Sequence, residues 1–136
     1  MVESKAVYQG QLRCQAVHVP SGSLLETDAP VDNNGKGERF SPTDLVAVAL
    51  GTCMMTIMGI IGERQGIVLE GLQVSVFKEM STEPPRRIGK LTVHFTMPRG
   101  LTYEHRNLLE NAAITCPVHK SLNPEIEMRI DFVYPD

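Results

Sequence analysis

The 136-residue sequence has no concentration of positive charge: 13 Lys+Arg against 16 Asp+Glu leave a formal net charge of −3, with both signs scattered along the chain. A phosphate backbone asks for a basic stripe, and none is present, so no nucleic acid is expected as a partner. Cysteines number three, Cys14, Cys53 and Cys116, too few and too widely spaced for a secreted disulfide framework. The opening residues, MVESKAVYQG, carry an early acidic residue and lack the apolar run and small-residue cleavage site of a secretory signal, so a cytoplasmic protein is expected. In that reducing compartment a thiol is free, metal-bound or redox-active. Internal repeats and low-complexity segments are absent. One uncharged run, Leu45 to Ile61, approaches membrane-spanning length, yet it contains Gly51, Thr52, Thr56 and Gly59 and falls short of the ~20 residues a bilayer core needs. It reads as a buried core helix, and no membrane is expected as a partner.

What is present fits one globular domain over residues 1–136, with 42% hydrophobic content. Lys5 to Val19 favours strand, and PSGS makes a turn into LLETD, giving an N-terminal hairpin. DAPVDNNGKGERF, residues 28 to 40, has no periodicity and reads as an exposed loop of the length that often serves a site. SPTDL opens a helix with Ser41 as N-cap, Pro42 at the first helical position and Asp44 in the first turn. The helix is expected to run to about Gln65 and to stop at Gly66. It is apolar nearly all round, so other protein must surround it. LQVSVFKEM and IGKLTVHFTM alternate as a second hairpin across STEPPRR, Thr102 caps a second helix, a short turn starts at Pro117, and EIEMRIDFVY is a last strand. The order implies an α+β domain with mainly antiparallel pairing. A chain of this size cannot cover the Leu45–Ile61 helix on every side, so a homodimer is expected.

The chemistry-bearing residues cluster around the thiols. Cys116 stands between the second helix and Pro117, at the N-cap of a new turn, where backbone N–H groups favour a thiolate, and His119 and Lys120 add donors or charge nearby. On these features it is expected to be more acidic than a free cysteine, although a small packed cap would occupy the same position. Cys53 lies three turns into the apolar helix, where packing accounts for most cysteines, but Gly51 and Thr52 leave room beside it. Cys116 and His119 have C-x-x-H spacing, with Cys53 as a conceivable third zinc ligand, yet no second paired motif accompanies them. His18, His94 and His105 read as solvated. Cys14 and Arg13 alternate on the first strand and point to opposite faces. An arginine reaching a buried thiol would stabilise its anion and could bind a peroxide oxygen.

FSPTDLVAVALGTC, with TCPVHKSL downstream and SGSLLETDAP upstream, resembles the OsmC/Ohr family of thiol-dependent organic hydroperoxide reductases, in its small OsmC-like branch. The resemblance covers nearly the whole chain. It implies an intertwined homodimer with two long central helices, flanked by mainly antiparallel sheets. It also implies Cys53 as the thiolate that attacks the peroxide and Cys116 as the thiol that resolves it into a disulfide. A small or lipoyl-type dithiol would reduce that disulfide, with no metal or other cofactor. Counting back from Gly22 puts the family's helper arginine at Arg13, with Arg39 second. Where its peroxidases carry a glutamate after the Ser-Pro pair, this chain has Thr43, and Asp44 follows about 100° around the helix. Two functions are therefore carried forward: a two-cysteine peroxidase for organic hydroperoxides, and a redox-sensing or lipid-like-ligand-binding module on the same fold.

Overall fold

The structure is a computed structural model that describes residues 1–135. Its chain groups into two compact units, Met1–Val46 and a second beginning at Ala47. The first unit holds β1 (Ser4–Gly10), β2 (Arg13–His18) and β3 (Ser23–Asp28) in one antiparallel sheet of order β1-β2-β3. The stretch expected as one strand, Lys5 to Val19, is thus itself a hairpin. Its reversal runs through Gly10, Gln11 and Leu12, all at positive φ, and neither Gln nor Leu is a residue that advertises such a turn. Register then pairs Arg13 with Asp28 and Cys14 with Thr27. The loop after β3 returns alongside Asp28, whose N–H donates to the Phe40 carbonyl.

α1 (Pro42–Gln65) begins and ends where its caps dictate. Ser41 Oγ accepts the Asp44 N–H at 3.1 Å while Asp44 Oδ2 accepts the Ser41 N–H at 2.9 Å, a reciprocal capping box. At the other end Gly66 takes φ +68° and the Ile67 N–H returns to the Gly62 carbonyl at 2.9 Å, closing the last turn.

In the second unit β4 (Gln73–Met80) and β5 (Ile88–Thr96) form the expected hairpin. α2 (Tyr103–Ala113) follows, its N-cap Thr102 accepting the His105 N–H at 3.1 Å. α3 (Pro117–Ser121) and β6 (Glu127–Val133) finish the sheet, in order β4-β5-β6. Pairing is mainly antiparallel, but β6 lies parallel to β5, so α2 and α3 form a crossover between them. Phe95 and Phe132, register partners across that pair, stack with ring centroids 5.2 Å apart.

The core comes from β5, whose Leu91, Val93 and Phe95 point one way, from Leu109 and Ala113 of α2, and from one stripe of α1. That stripe is Ala47, Leu50, Gly51, Met54, Met58 and Gly62, the i, i+3, i+4, i+7 spacing of a single helix face. A Cβ on Gly51 would stand 2.7 Å from Val76 Cγ2, so glycine is what lets helix and strand approach this closely. Length and composition alone would also let α1 cross a membrane, and a third of its most apolar window is buried within the chain. Beyond β6, the Tyr134 hydroxyl donates to Glu110 and its ring carries the Arg106 guanidinium 4.2 Å from the centroid, which ties the chain's end to α2.

Candidate functional site

Cys53 is half-buried beside the core stripe of α1, and Cys116 is fully buried at the head of α3. The local sequence explains the second position. α2 ends at Ala113, the Cys116 N–H still reaches the Ala113 carbonyl at 3.3 Å, and Pro117 takes the first position of α3. Cys116 is then extended (φ −61°, ψ 142°) and acts as N-cap, its Sγ accepting the His119 N–H at 3.2 Å. Cys53 lies close enough to Cys116 to act on its thiol, and both cysteines are free. Two cysteines far apart in sequence are thereby brought near one another.

The expected acidity of Cys116 is corrected. Burial pushes its thiol above the ordinary cysteine value; the His119 N–H pulls the other way, and the neighbouring Cys53 raises it again. His119 acts through its main chain, not its ring, whose Nδ1 is buried without a hydrogen-bond partner among the described residues. Lys120 is exposed. Cap geometry favours the thiolate, and desolvation outweighs it. Cys116 therefore holds its proton more firmly than an ordinary cysteine.

In the first unit Arg13 is held by two carboxylates. Its Nε donates to Asp28 Oδ1 at 2.7 Å and its Nη2 to Asp28 Oδ2 at 2.8 Å, the two-pronged geometry that suits guanidinium and carboxylate. Nη2 also reaches Glu38 Oε1 at 2.9 Å, and the Glu38 N–H donates to Asp28 Oδ2 at 3.1 Å. Asp28 is buried, and the Arg13 guanidinium holds its carboxyl below the usual carboxylate range against the opposing pull of burial. Arg39, the second arginine candidate, pairs with Glu26 at 3.4 Å and with the Glu38 carbonyl. Thr43 Oγ1 lies 3.2 Å from Ser41 Oγ, and Asp44 serves the capping box. Neither Thr43 nor Asp44 is what holds Arg13.

Residues 35–131 match the family described as OsmC-like protein. The chain belongs to the OsmC-like family. Its fold is shared with several solved members. A candidate osmotic stress induced and detoxification response protein from Psychrobacter arcticus 273-4 is 42% identical, with a TM-score of 0.93 over 98% of this chain and 96% of that one. An organic hydroperoxide resistance protein OsmC from Legionella pneumophila is 17% identical, with a TM-score of 0.77 over 97% and 96%. An organic hydroperoxide resistance protein from Elizabethkingia anophelis, solved with thiocyanate bound, is 18% identical, with a TM-score of 0.77 over 98% and 96%. No curated protein sequence matches the chain.

Within this OsmC-like chain the remaining candidates have local neighbours of their own. Cys14 is half-buried on β2, opposite Tyr8 and Thr27. His18 Nδ1 is 2.6 Å from Ser21 Oγ in the following turn. Among the described residues no group of three or more His, Cys, Asp or Glu side chains assembles as a metal site. Asp28 and Glu38 are the residues that sequence reasoning missed. A signal for Asp28 existed: pairing His18 with Ser23 across the PSGS turn sets Arg13 opposite Asp28.

Two outcomes follow from these geometries. Iodoacetamide labelling of the reduced protein at pH 7, mapped by peptide mass, labels Cys116 more slowly than Cys14, because Cys116 is both buried and protonated. Asp28→Asn destabilises the protein at neutral pH. A carboxyl whose value is lowered by folding contributes stability above its unfolded value, and that contribution is lost as the pH falls through the folded one. The gap in urea midpoint between wild type and Asp28→Asn is therefore constant above about pH 5 and closes below about pH 4.

Proposed function

We propose that this chain is a thiol-dependent peroxidase that reduces organic hydroperoxides to alcohols through a Cys53 sulfenic acid and a Cys53–Cys116 disulfide. The observation that carries the reading is the closeness of the two free thiols, near enough for Cys53 to act on the Cys116 value. Ordinary core cysteines have no need to meet across such a sequence separation, whereas a nucleophile and its resolving thiol must.

Each step balances with these two sulfurs. The Cys53 thiolate attacks one oxygen of ROOH, the O–O bond breaks, Cys53–SOH forms, and the departing alkoxide takes a proton from solvent to become the alcohol. Cys116, protonated because it is buried, then attacks the sulfenic sulfur; the S–S bond forms and water leaves with the thiol proton. An external dithiol, of the lipoyl type, returns two electrons and two protons and becomes a disulfide itself. No step calls for a metal or flavin. Arg13 is assigned the anion-stabilising role, offering N–H donors to the thiolate or the peroxide oxygen. Of the apolar residues around Cys53, Met54 and Met58 belong to the core, while the half-buried Met55 and Ile57 favour an organic peroxide over hydrogen peroxide, and the reductive half of the cycle suits the cytoplasm.

A second copy of the chain completes the reading. Only one face of α1 is buried, leaving Val48 and Ile60 about 40% exposed, and Val7, Leu24 and Phe40 of the first unit are uncovered as well. Apolar surface distributed in this way is what an intertwined homodimer would cover, with α1 of each chain at its centre. The competing reading, a redox sensor or a module for a lipid-like ligand, drew its support from Thr43. The carboxylates that hold Arg13 remove much of that support, because the arginine does not depend on position 43.

The test is intact mass and thiol count on reduced protein before and after one equivalent of cumene hydroperoxide. Wild type loses two thiols and about 2 Da, mapped by digestion to Cys53 and Cys116. Cys53→Ser consumes no peroxide. Cys116→Ser gains about 16 Da at Cys53 once and does not turn over with a dithiol. Normal cycling by both variants would sink the mechanism, and an organic ligand retained without peroxide consumption would favour the binding module.

A further inference from the structure

The segment that leads from α3 into β6 alternates in character. Pro124, Ile126 and Met128 turn to one side, where with His119, Lys120 and Leu122 they line an open cleft of about 350 Å³. The intervening Glu125 and Glu127 line a different cleft, together with Ser81 and Arg87 of the β4–β5 connection. This is the two-residue period of an extended chain, and here it sorts side chains by charge. Among the described residues that line the first cleft there is no carboxylate, and the two ionisable groups are a lysine and a histidine. His119 gives the cleft a second mark. Its main-chain N–H is spent on Cys116 Sγ at 3.2 Å, while its ring Nδ1 is buried with no hydrogen-bond partner among the described residues. Buried polar atoms are nearly always paired, because one left unpaired has lost its hydration without compensation. An orphan nitrogen on a residue of the cleft wall is what a ligand carrying an acceptor would satisfy. The exposed Lys120 beside it adds a positive charge, and the half-buried Leu122, Ile126 and Met128 leave apolar surface in water.

We propose that this cleft is a binding site for a medium-chain carboxylate, its charged end taken by Lys120 Nζ and His119 Nδ1 and its chain laid on Leu122, Pro124, Ile126 and Met128. Neither half of such a ligand would use the cleft alone. A purely apolar molecule leaves Nδ1 unpaired, and a small anion leaves the apolar wall in water. The cleft stands at the lower end of the roughly 300–1,000 Å³ common for small-molecule sites, enough for a chain of about eight carbons. A ligand held there rests on α3, the helix capped by Cys116. The assignment does not depend on thiol chemistry and stands whether or not Cys53 reacts with a peroxide.

The experiment is calorimetric titration of the reduced protein with sodium octanoate, sodium hexanoate, sodium acetate and 1-octanol. Octanoate is expected to bind, each methylene between hexanoate and octanoate tightening the complex roughly two- to four-fold. Acetate and octanol are expected to bind more weakly than octanoate by about ten-fold or more. Lys120→Ala removes an exposed side chain, and His119→Phe keeps a ring and the main-chain cap on Cys116 while removing Nδ1. Each variant weakens octanoate by roughly ten-fold. Octanoate that fails to bind, or that binds both variants as it binds wild type, overturns the proposal. If His119→Phe does not fold, Lys120→Ala decides alone. Octanol that binds as tightly as octanoate also overturns it, since the cleft would then be apolar surface without a place for a carboxylate. Sedimentation equilibrium of wild type and Met128→Glu tests the other occupant. A Met128→Glu protein that keeps the wild-type mass in solution and loses octanoate supports the assignment, whereas one that falls to a smaller assembly shows a second copy of the chain covering the cleft and overturns it.

Discussion

The need to cover α1 governs most of what this chain does. A 24-residue helix with apolar side chains around nearly its whole circumference cannot stand in water. β4 and β5 cover one stripe of it, and they come close because position 51 is a glycine facing Val76. The helix that results is rigid, capped at both ends and deeply seated along one face. It is a good support for a side chain that must be held within a fraction of an ångström of its partner. Cys53 sits at the border of the covered stripe, and the crossover between β5 and β6 brings Cys116 to it.

Polar organisation is divided between the two compact units. In the second, two sulfurs occur together with few charges, and burial holds the Cys116 thiol above its ordinary value. In the first, a guanidinium and two carboxylates form a network in which each fixes the next. A network of this kind has value only when its buried member is satisfied. Asp28 meets that condition with three hydrogen bonds, two from Arg13 and one from the Glu38 N–H.

The elements legible in the sequence were those marked by local chemistry. Ser41-Pro42 with Asp44, Thr102, Cys116-Pro117 and Gly66 each declare a helix end through a hydrogen bond that a short stretch can specify, and the helices stop where those residues say. Alternation announced β4 and β5. The turn at Gln11-Leu12 was hidden because its positive φ values fall on residues that seldom adopt them. The parallel placement of β6 was hidden because strand direction depends on the crossover and not on the strand's own pattern. For the candidate site, the sequence singled out Cys53, Cys116 and Arg13 as residues to examine, but the acidity of Cys116 came out with the wrong sign. A cap is a local feature and can be read, whereas burial is set by the tertiary fold around it. Asp28 lay between these cases, since hairpin register would have paired it with Arg13 had strand partners been counted across the turn.

The sequence separation of the two thiols has a thermodynamic side. The segment between Cys53 and Cys116 contains the end of α1, both strands of the β4–β5 hairpin and all of α2. A covalent bond between the two sulfurs would close that segment into a ring of some sixty residues. It would restrict the unfolded chain by an amount corresponding to about 4 kcal/mol in the chain-entropy description. The oxidised form would then be the harder one to unfold, and catalytic turnover would move the protein between a looser and a tighter thermodynamic state. A reductant acting on such a disulfide would therefore work against the folding free energy of most of the second unit as well as against the sulfur–sulfur bond.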